Sequence, residues 1–253
     1  MKKRGQVTIF IIVAVMIVIL AILIYLFFPK IKSGLGFDEK NPSAFLQKCL
    51  EADLKEIIKK ISLQGGSINP EHYYLYQDNK IEYLCYTSEY YVTCIMQQPM
   101  LKEHIENEIS VGISEKAQQC LIELEKNYKS NGYQVELKNN LVEIELLPKR
   151  IVTKLNSSLV LTKAGEKTQY DSINFAVTNN LYEMVAIANS ILNMEARYGN
   201  SETTIYMDYY PDLKVEKFKQ TDGATIYILT DRNTENKFQF ASRSLAWPPG
   251  YGG

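Results

Sequence analysis

Residues 81–96 read Ile-Glu-Tyr-Leu-Cys-Tyr-Thr-Ser-Glu-Tyr-Tyr-Val-Thr-Cys-Ile-Met. Apolar and aromatic residues fill both ends, and Thr87-Ser88-Glu89 interrupts them, which predicts strands over 81–86 and 90–96 joined by a short turn. A hairpin of that loop length sets Cys85 opposite Cys94, Leu84 opposite Ile95 and Tyr83 opposite Met96, so the apolar residues agree in register. Opposed strand residues bring their Cβ atoms close enough for a disulfide. The remaining cysteines, Cys49 and Cys120, each fall on an apolar helical stripe and would staple two helices together. A zinc site and four buried free thiols are the alternatives. No cysteine pair has the short spacing of zinc-ligand hooks, and an even number of cysteines outside a membrane favours bridges.

Working outward, Phe45, Leu46, Cys49, Leu50, Leu54, Ile57, Ile58 and Ile61 recur at helical spacing, and Gly65-Gly66 ends that helix. Pro99 opens a second helix with Leu101, Ile105, Ile109, Ile113, Ala117, Cys120, Leu121 and Leu124 on one face, which Gly112 is expected to bend and Asn131-Gly132 to close. From Tyr133 the pattern alternates. Val135–Leu137 and Leu141–Leu146 flank Asn139-Asn140, a hairpin signature, and strands continue through 151–162 and 168–177. A third helix is expected over 180–197, then strands near 214–219, 224–230 and 237–241, with Asp222-Gly223 as a tight turn. The body therefore reads as α+β: a helical, cysteine-bearing subdomain with a hairpin at 42–131, and a sheet-rich subdomain at 132–253 with one helix and an aromatic tail.

The N-terminus gives the compartment. Lys2, Lys3, Arg4 and Gly5 precede an uncharged run, residues 6–28, rich in Ile, Val, Leu and Phe. At about 1.5 Å per residue the run reaches about 34 Å, enough to cross a bilayer core of about 30 Å. Its bases hold the N-terminus in the cytoplasm and place the body outside, behind a linker at 29–41. Phe27-Phe28-Pro29-Lys30 offers no small-residue cleavage site, so the run reads as a retained anchor and the lipid bilayer as its partner.

Lys2-Lys3-Arg4-Gly5-Gln6 followed at once by the apolar run resembles the class III signal peptides of archaeal type IV pilin-like proteins. That resemblance implies cleavage after Gly5, a mature protein beginning at Gln6, and a helix kept as anchor or filament core. The glutamate that many pilins carry at the fifth mature position is Phe10 here. The whole arrangement, tyrosine-rich body included, is similar to anchored surface proteins of small-genome archaea.

Charge and motif exclude several activities. Once Lys2, Lys3 and Arg4 are set aside from the 28 bases, the rest of the chain holds 25 bases against 29 acids. No basic field is available to draw nucleic acid. The two histidines, His72 and His104, form no metal pair, and no phosphate-cradling loop, nucleophile elbow or dinucleotide fingerprint occurs. The sequence gives no reason for a cofactor, a metal site or a catalytic residue. Asp208, Asp212, Asp222 and Asp231 are the candidates if the chain is instead an anchored carboxylate-dependent hydrolase.

Eighteen tyrosines are the unusual feature. Tyr73, Tyr74, Tyr76, Tyr83, Tyr86, Tyr90 and Tyr91 crowd one region, and Tyr206, Tyr209 and Tyr210 a second. Such rings pack half-buried on strands, and they also supply contact area at small entropic cost. Tyr73, Tyr74, Tyr76, Tyr90, Tyr91 and the lone Trp247 are the expected binding surface, and Asn156-Ser-Ser158 is a glycosylation sequon. The expectation is a single-pass surface protein with an adhesive or structural envelope role, facing an envelope protein, a glycan or a second copy of itself. A pilin-like filament subunit is the alternative.

Overall fold

The structure, a computed structural model, describes residues 13–18 and 41–246. The expected processing signal Lys2–Gln6, most of the apolar run and linker, and Trp247 lie outside the described residues. Residues 13–18 are helical and exposed. Among the described residues no helix is long and apolar enough to cross a membrane. The chain divides into two units, Met1–Asn41 and Pro42–Gly253, and the second carries everything that follows.

Helix α1 (Pro42–Leu63) buries Leu46, Leu50, Leu54, Ile58 and Ile61, a stripe at three- and four-residue spacing. It stops where Gly66, at φ +109°, turns its amide back to the Ile61 carbonyl at 2.8 Å. Helix α2 (Leu101–Ser130) lays the predicted stripe, extended to Tyr128, against α1. Gly112 does not interrupt it. A Cβ there would stand 2.7 Å from Ile68 Cδ1 and 3.3 Å from Ile57 Cγ2, so the glycine permits close packing rather than a bend. Cys49 and Cys120 are bonded, with Cα atoms 6.1 Å apart, and tie the two helices together.

Two sheets complete the body. Sheet 1 has six strands: β1 (Tyr73–Tyr76), β2 (Asn79–Tyr86), β3 (Ile95–Met96), β8 (Leu213–Lys219), β9 (Ala224–Asp231) and β10 (Lys237–Arg243), in the order β1-β2-β10-β9-β8 with β3 also on β2. The β2–β10 pair is parallel and every other pair antiparallel. Sheet 2 is antiparallel: β4 (Gln134–Leu147) lies on one edge of β5 (Arg150–Lys163), while β6 (Glu166–Tyr170) and β7 (Ile173–Thr178) follow one another along the other. Helix α3 (Leu181–Tyr198) packs on β10 and β2, and a short helix α4 (Thr204–Tyr209), unforeseen in the sequence, leads into β8. Because β2 pairs with β10, the boundary anticipated at residue 131 does not separate the sheets into independent halves.

Two registers differ from expectation. Asn139-Asn140 is not a hairpin turn: β4 runs straight through it, with Lys138 opposite Ser158 and Leu141 opposite Asn156, one extra residue on β4. The bulge explains why the apolar positions change phase, from Val135 and Leu137 to Val142, Ile144 and Leu146. The true turn is Pro148-Lys149. The free edge of β4 is protected by α2, whose Glu106 carboxylate accepts the Leu146 amide at 2.6 Å while Ser110 Oγ donates to the Val142 carbonyl at 2.6 Å.

The cysteine hairpin is the second case. Cys85 and Cys94 are bonded, with Cα atoms 5.3 Å apart, but they are not directly opposed. Cys85 faces Met96 and Tyr86 faces Ile95, and the strand expected over 90–96 shrinks to two residues. The backbone before it bonds elsewhere: the Tyr91 amide donates to the Leu245 carbonyl at 2.8 Å, the Leu245 amide to Val92 at 3.1 Å, and the Cys94 amide to Ser244 Oγ at 3.1 Å.

Candidate functional site

Sheet 1 has a cluster on one face made of strand residues alone: Ile81, Tyr83, Ala224, Ile226, Ile228 and Ala241. The half-buried rings packed on it are Tyr74, Tyr76 and Tyr86. Local sequence places them as follows. Tyr74 and Tyr76 alternate on β1, opposite Ile81 and Asn79. Ala241 pairs with Tyr83 and Ser242 with Cys85, so Leu84 is an extra residue on β2, and Tyr86 pairs with Arg243. That bulge brings Tyr83 and Tyr86 together although they are three apart, and lets Cys85 share Ser242's side of the sheet.

The rings meet in two groups, one gathered around the buried Tyr83 and the other made of Tyr76 and Phe218. His72 lies 4.8 Å from Tyr83 and 4.2 Å from Tyr86 between centroids; Tyr83 and Tyr86 are 5.0 Å apart, Tyr74 and Tyr83 6.4 Å. Tyr76 stacks on Phe218 of β8 at 5.9 Å. These are ordinary aromatic pairing distances. At one end Arg243 lies over the Tyr86 ring at 5.7 Å, its guanidinium held by the Asp222 and Thr87 carbonyls at 3.1 and 2.7 Å. The Tyr74 hydroxyl donates to Gln220 at 3.3 Å. Flat ring faces with a fixed cation and peripheral hydroxyls can stack on and hydrogen-bond to a ligand laid across the strands.

Burial pushes the Tyr83 hydroxyl up to about 12, and the nearby Asp222 charge adds to the shift. An unfolded tyrosine ionises near pH 10. The folded state thus keeps a proton that the unfolded state loses, so stability is full below about pH 10 and falls as pH rises toward 12. In urea melts at pH 9 and 11.5, Tyr83→Phe is expected to flatten that alkaline loss. Tyr227, which burial shifts in the same direction, contributes to the slope that remains.

Only part of the expected surface assembles here. Tyr74 and Tyr76 belong to it. Tyr73 pairs with Glu82 on the opposite face of the ribbon, under Lys80 at 4.8 Å. Tyr90 and Tyr91, 65% and 75% exposed, stand on the disulfide loop. Phe218 and Arg243 were missed, because nothing local in the sequence places β8 and β10 beside β2. Asn156 is half-buried in the middle of β5, opposite Leu141.

No match to this chain is found among protein-family models, curated protein sequences or solved structures.

Two of the four acids named as hydrolase candidates accept backbone amides in turns. Asp222 accepts the Ala224 amide at 3.0 Å. Asp231 accepts the Asn233 and Thr234 amides, both at 2.8 Å, which with Asn180 hold its carboxyl below the usual range against the opposing effect of burial. Asp208 and Asp212 are exposed. A serine and a histidine do meet: Ser67 Oγ lies 2.8 Å from His104 Nε2 and donates to Glu82 at 2.5 Å. The acid lies on the serine rather than behind the histidine, so it does not orient the ring as a base. The cluster, with Glu108 accepting the Ile68 amide at 2.6 Å, fastens the loop after α1 to α2 and β2. Burial raises the Glu82 pKa, and its bond from Ser67 opposes the rise.

Proposed function

We propose that this chain is a membrane-anchored, extracytoplasmic surface protein that binds an envelope glycan or protein through the aromatic face of sheet 1. The observation that carries the reading is the roof of half-buried rings, Tyr74, Tyr76 and Tyr86, over a cluster built from strand residues alone. A face meant only for solvent would carry polar residues at these positions. The apolar run at 6–28, behind Lys2, Lys3 and Arg4, supports the anchor. The two bridged cysteine pairs support an oxidising compartment.

The test uses the full chain in nanodiscs, exposed to envelope fractions separated into glycan and protein. Saturable binding by one fraction, reduced at least tenfold in Tyr76→Ser/Tyr86→Ser with an unchanged circular dichroism spectrum, is the expected result. Absence of binding to both fractions, or binding indifferent to the double substitution, would overturn it. Intact mass of the same material reports whether Met1–Gly5 has been removed, as a filament subunit would require.

A further inference from the structure

A cleft of about 610 Å³ opens between the second half of α1, the β7–α3 junction and the turn before β10. None of its lining residues belongs to the aromatic face. Its floor is apolar, with Ile58, Leu181 and Met184 prominent. Its rim carries three lysines, Lys55, Lys59 and Lys237, against one acid, Glu235. Lys55 is already paired with Glu51 at 2.5 Å, which leaves Lys59 and Lys237 as the cations without an ion pair among the described residues. The chain outside the N-terminal segment is net acidic, so a local excess of lysine over an apolar floor runs against its own average.

The walls are built before any ligand arrives. Asn180 donates to Asp231 at 2.7 Å and accepts from Asn236 at 2.8 Å, locking the start of α3 to the turn that carries Glu235 and Lys237. Asn179 accepts the Leu181 amide at 2.8 Å, fixing the other side of the same junction. Glu235 adopts φ +59°, and its amide bonds to the Asp231 carbonyl at 2.9 Å, so the turn is held in one conformation. The positive end of the α3 dipole lies at this wall and adds to the field of the lysines.

We infer that this cleft binds a phosphate ester carrying an apolar body. All three cations are lysines, compact charges with rotatable donors that suit a tetrahedral oxyanion; no arginine fork is present for bidentate grip of a planar carboxylate. The volume suits a small organic ligand, and the apolar floor gives the uncharged part its place. A soluble phosphoester and the headgroup region of a phospholipid share this chemistry.

The full chain in a nonionic micelle is titrated calorimetrically with phenyl phosphate, inorganic phosphate, benzoate and a short-chain phosphatidic acid below its micelle concentration. Phenyl phosphate or the short-chain lipid is expected to bind at least tenfold more tightly than inorganic phosphate or benzoate, and to weaken as salt rises. Lys59→Met/Lys237→Met, at exposed positions that leave the fold intact, is expected to lose at least tenfold in affinity. Preference for phenyl phosphate assigns a soluble ester, and preference for the lipid assigns a membrane source. Failure of both to bind, or binding unaltered by the double substitution, or equal binding of inorganic phosphate and phenyl phosphate, would overturn the inference while leaving the aromatic face untouched.

Discussion

Glu195→Ala is expected to destabilise the body by about 3–5 kcal/mol, the cost of removing one member of a buried charged network. Glu195 is 2% exposed on the inner side of α3. Its carboxylate accepts the Tyr227 hydroxyl and, at 3.1 Å, the Ser242 hydroxyl. Lys217, whose Nζ donates to Asn200 and to the Ser201 carbonyl at 3.0 Å, supplies the opposing charge. Burial lowers the Lys217 pKa and the Glu195 charge works against that lowering. Alanine would remove the acceptor of the Tyr227 and Ser242 hydroxyls, at about 1–3 kcal/mol each if nothing replaces the bond, and take from Lys217 one of the two carboxylates, Glu195 and Glu202, that favour its charge. Urea melts should show a midpoint drop of about 1–3 M at an ordinary slope. Glu195→Gln keeps one acceptor oxygen, and its amide NH2 can only donate to the other hydroxyl, so it should lose about half as much. If alanine costs less than about 1 kcal/mol, water reaches these groups and the network is not holding α3 to the sheet.

Removing the Cys49–Cys120 bridge should cost about 4 kcal/mol, and removing Cys85–Cys94 about 3 kcal/mol, on the chain-entropy account of cross-links. The difference follows from the loops they close, 71 residues in one case and 9 in the other. Thermal unfolding of Cys49→Ser/Cys120→Ser should fall by about 8–16 °C, given about 2–4 °C per kcal/mol for a body of this size. The short-loop pair should fall by less. The reverse order would mean that the small loop, which bonds to Ser244 and Leu245, is the stronger fastening of the sheet edge.

The helices were legible because their signal is local. Leu46, Leu50 and Leu54, or Ile105, Ile109 and Ile113, announce a buried stripe without reference to any distant residue. Cysteine pairing was also legible, because stripe and strand left one sensible combination. Register was not. The phase change at Asn139-Asn140 is compatible with a turn or with a bulge, and only the unbroken burial of Ile151, Thr153, Leu155, Ser157, Leu159 and Leu161 on the partner strand decides for the bulge. Likewise the peptide groups of Tyr91 and Val92 were assigned to a hairpin that the segment at Leu245 outbids. The aromatic face was half legible: Tyr74 and Tyr76 advertise themselves by composition, while Phe218 and Arg243 reach it through strand order, which no window of sequence contains.

The parallel junction of β2 with β10 has a consequence for how the protein comes into being. Arg243 and Thr87, bonded across that junction, are 156 residues apart in sequence. Helices α1 and α2 and the long meander of β4 to β7 are each contiguous and can organise as they leave the ribosome or the membrane. The β1–β2 ribbon cannot; one of its edges stays open until almost the last strand is delivered, the slow and aggregation-exposed regime of long-range pairing. A nascent chain halted between Thr178 and Lys237 would therefore carry two finished helices and one finished sheet beside an uncovered strand edge. Quality control in the cell would meet this protein as a late-closing client, whose competence is decided by the delivery of seven residues.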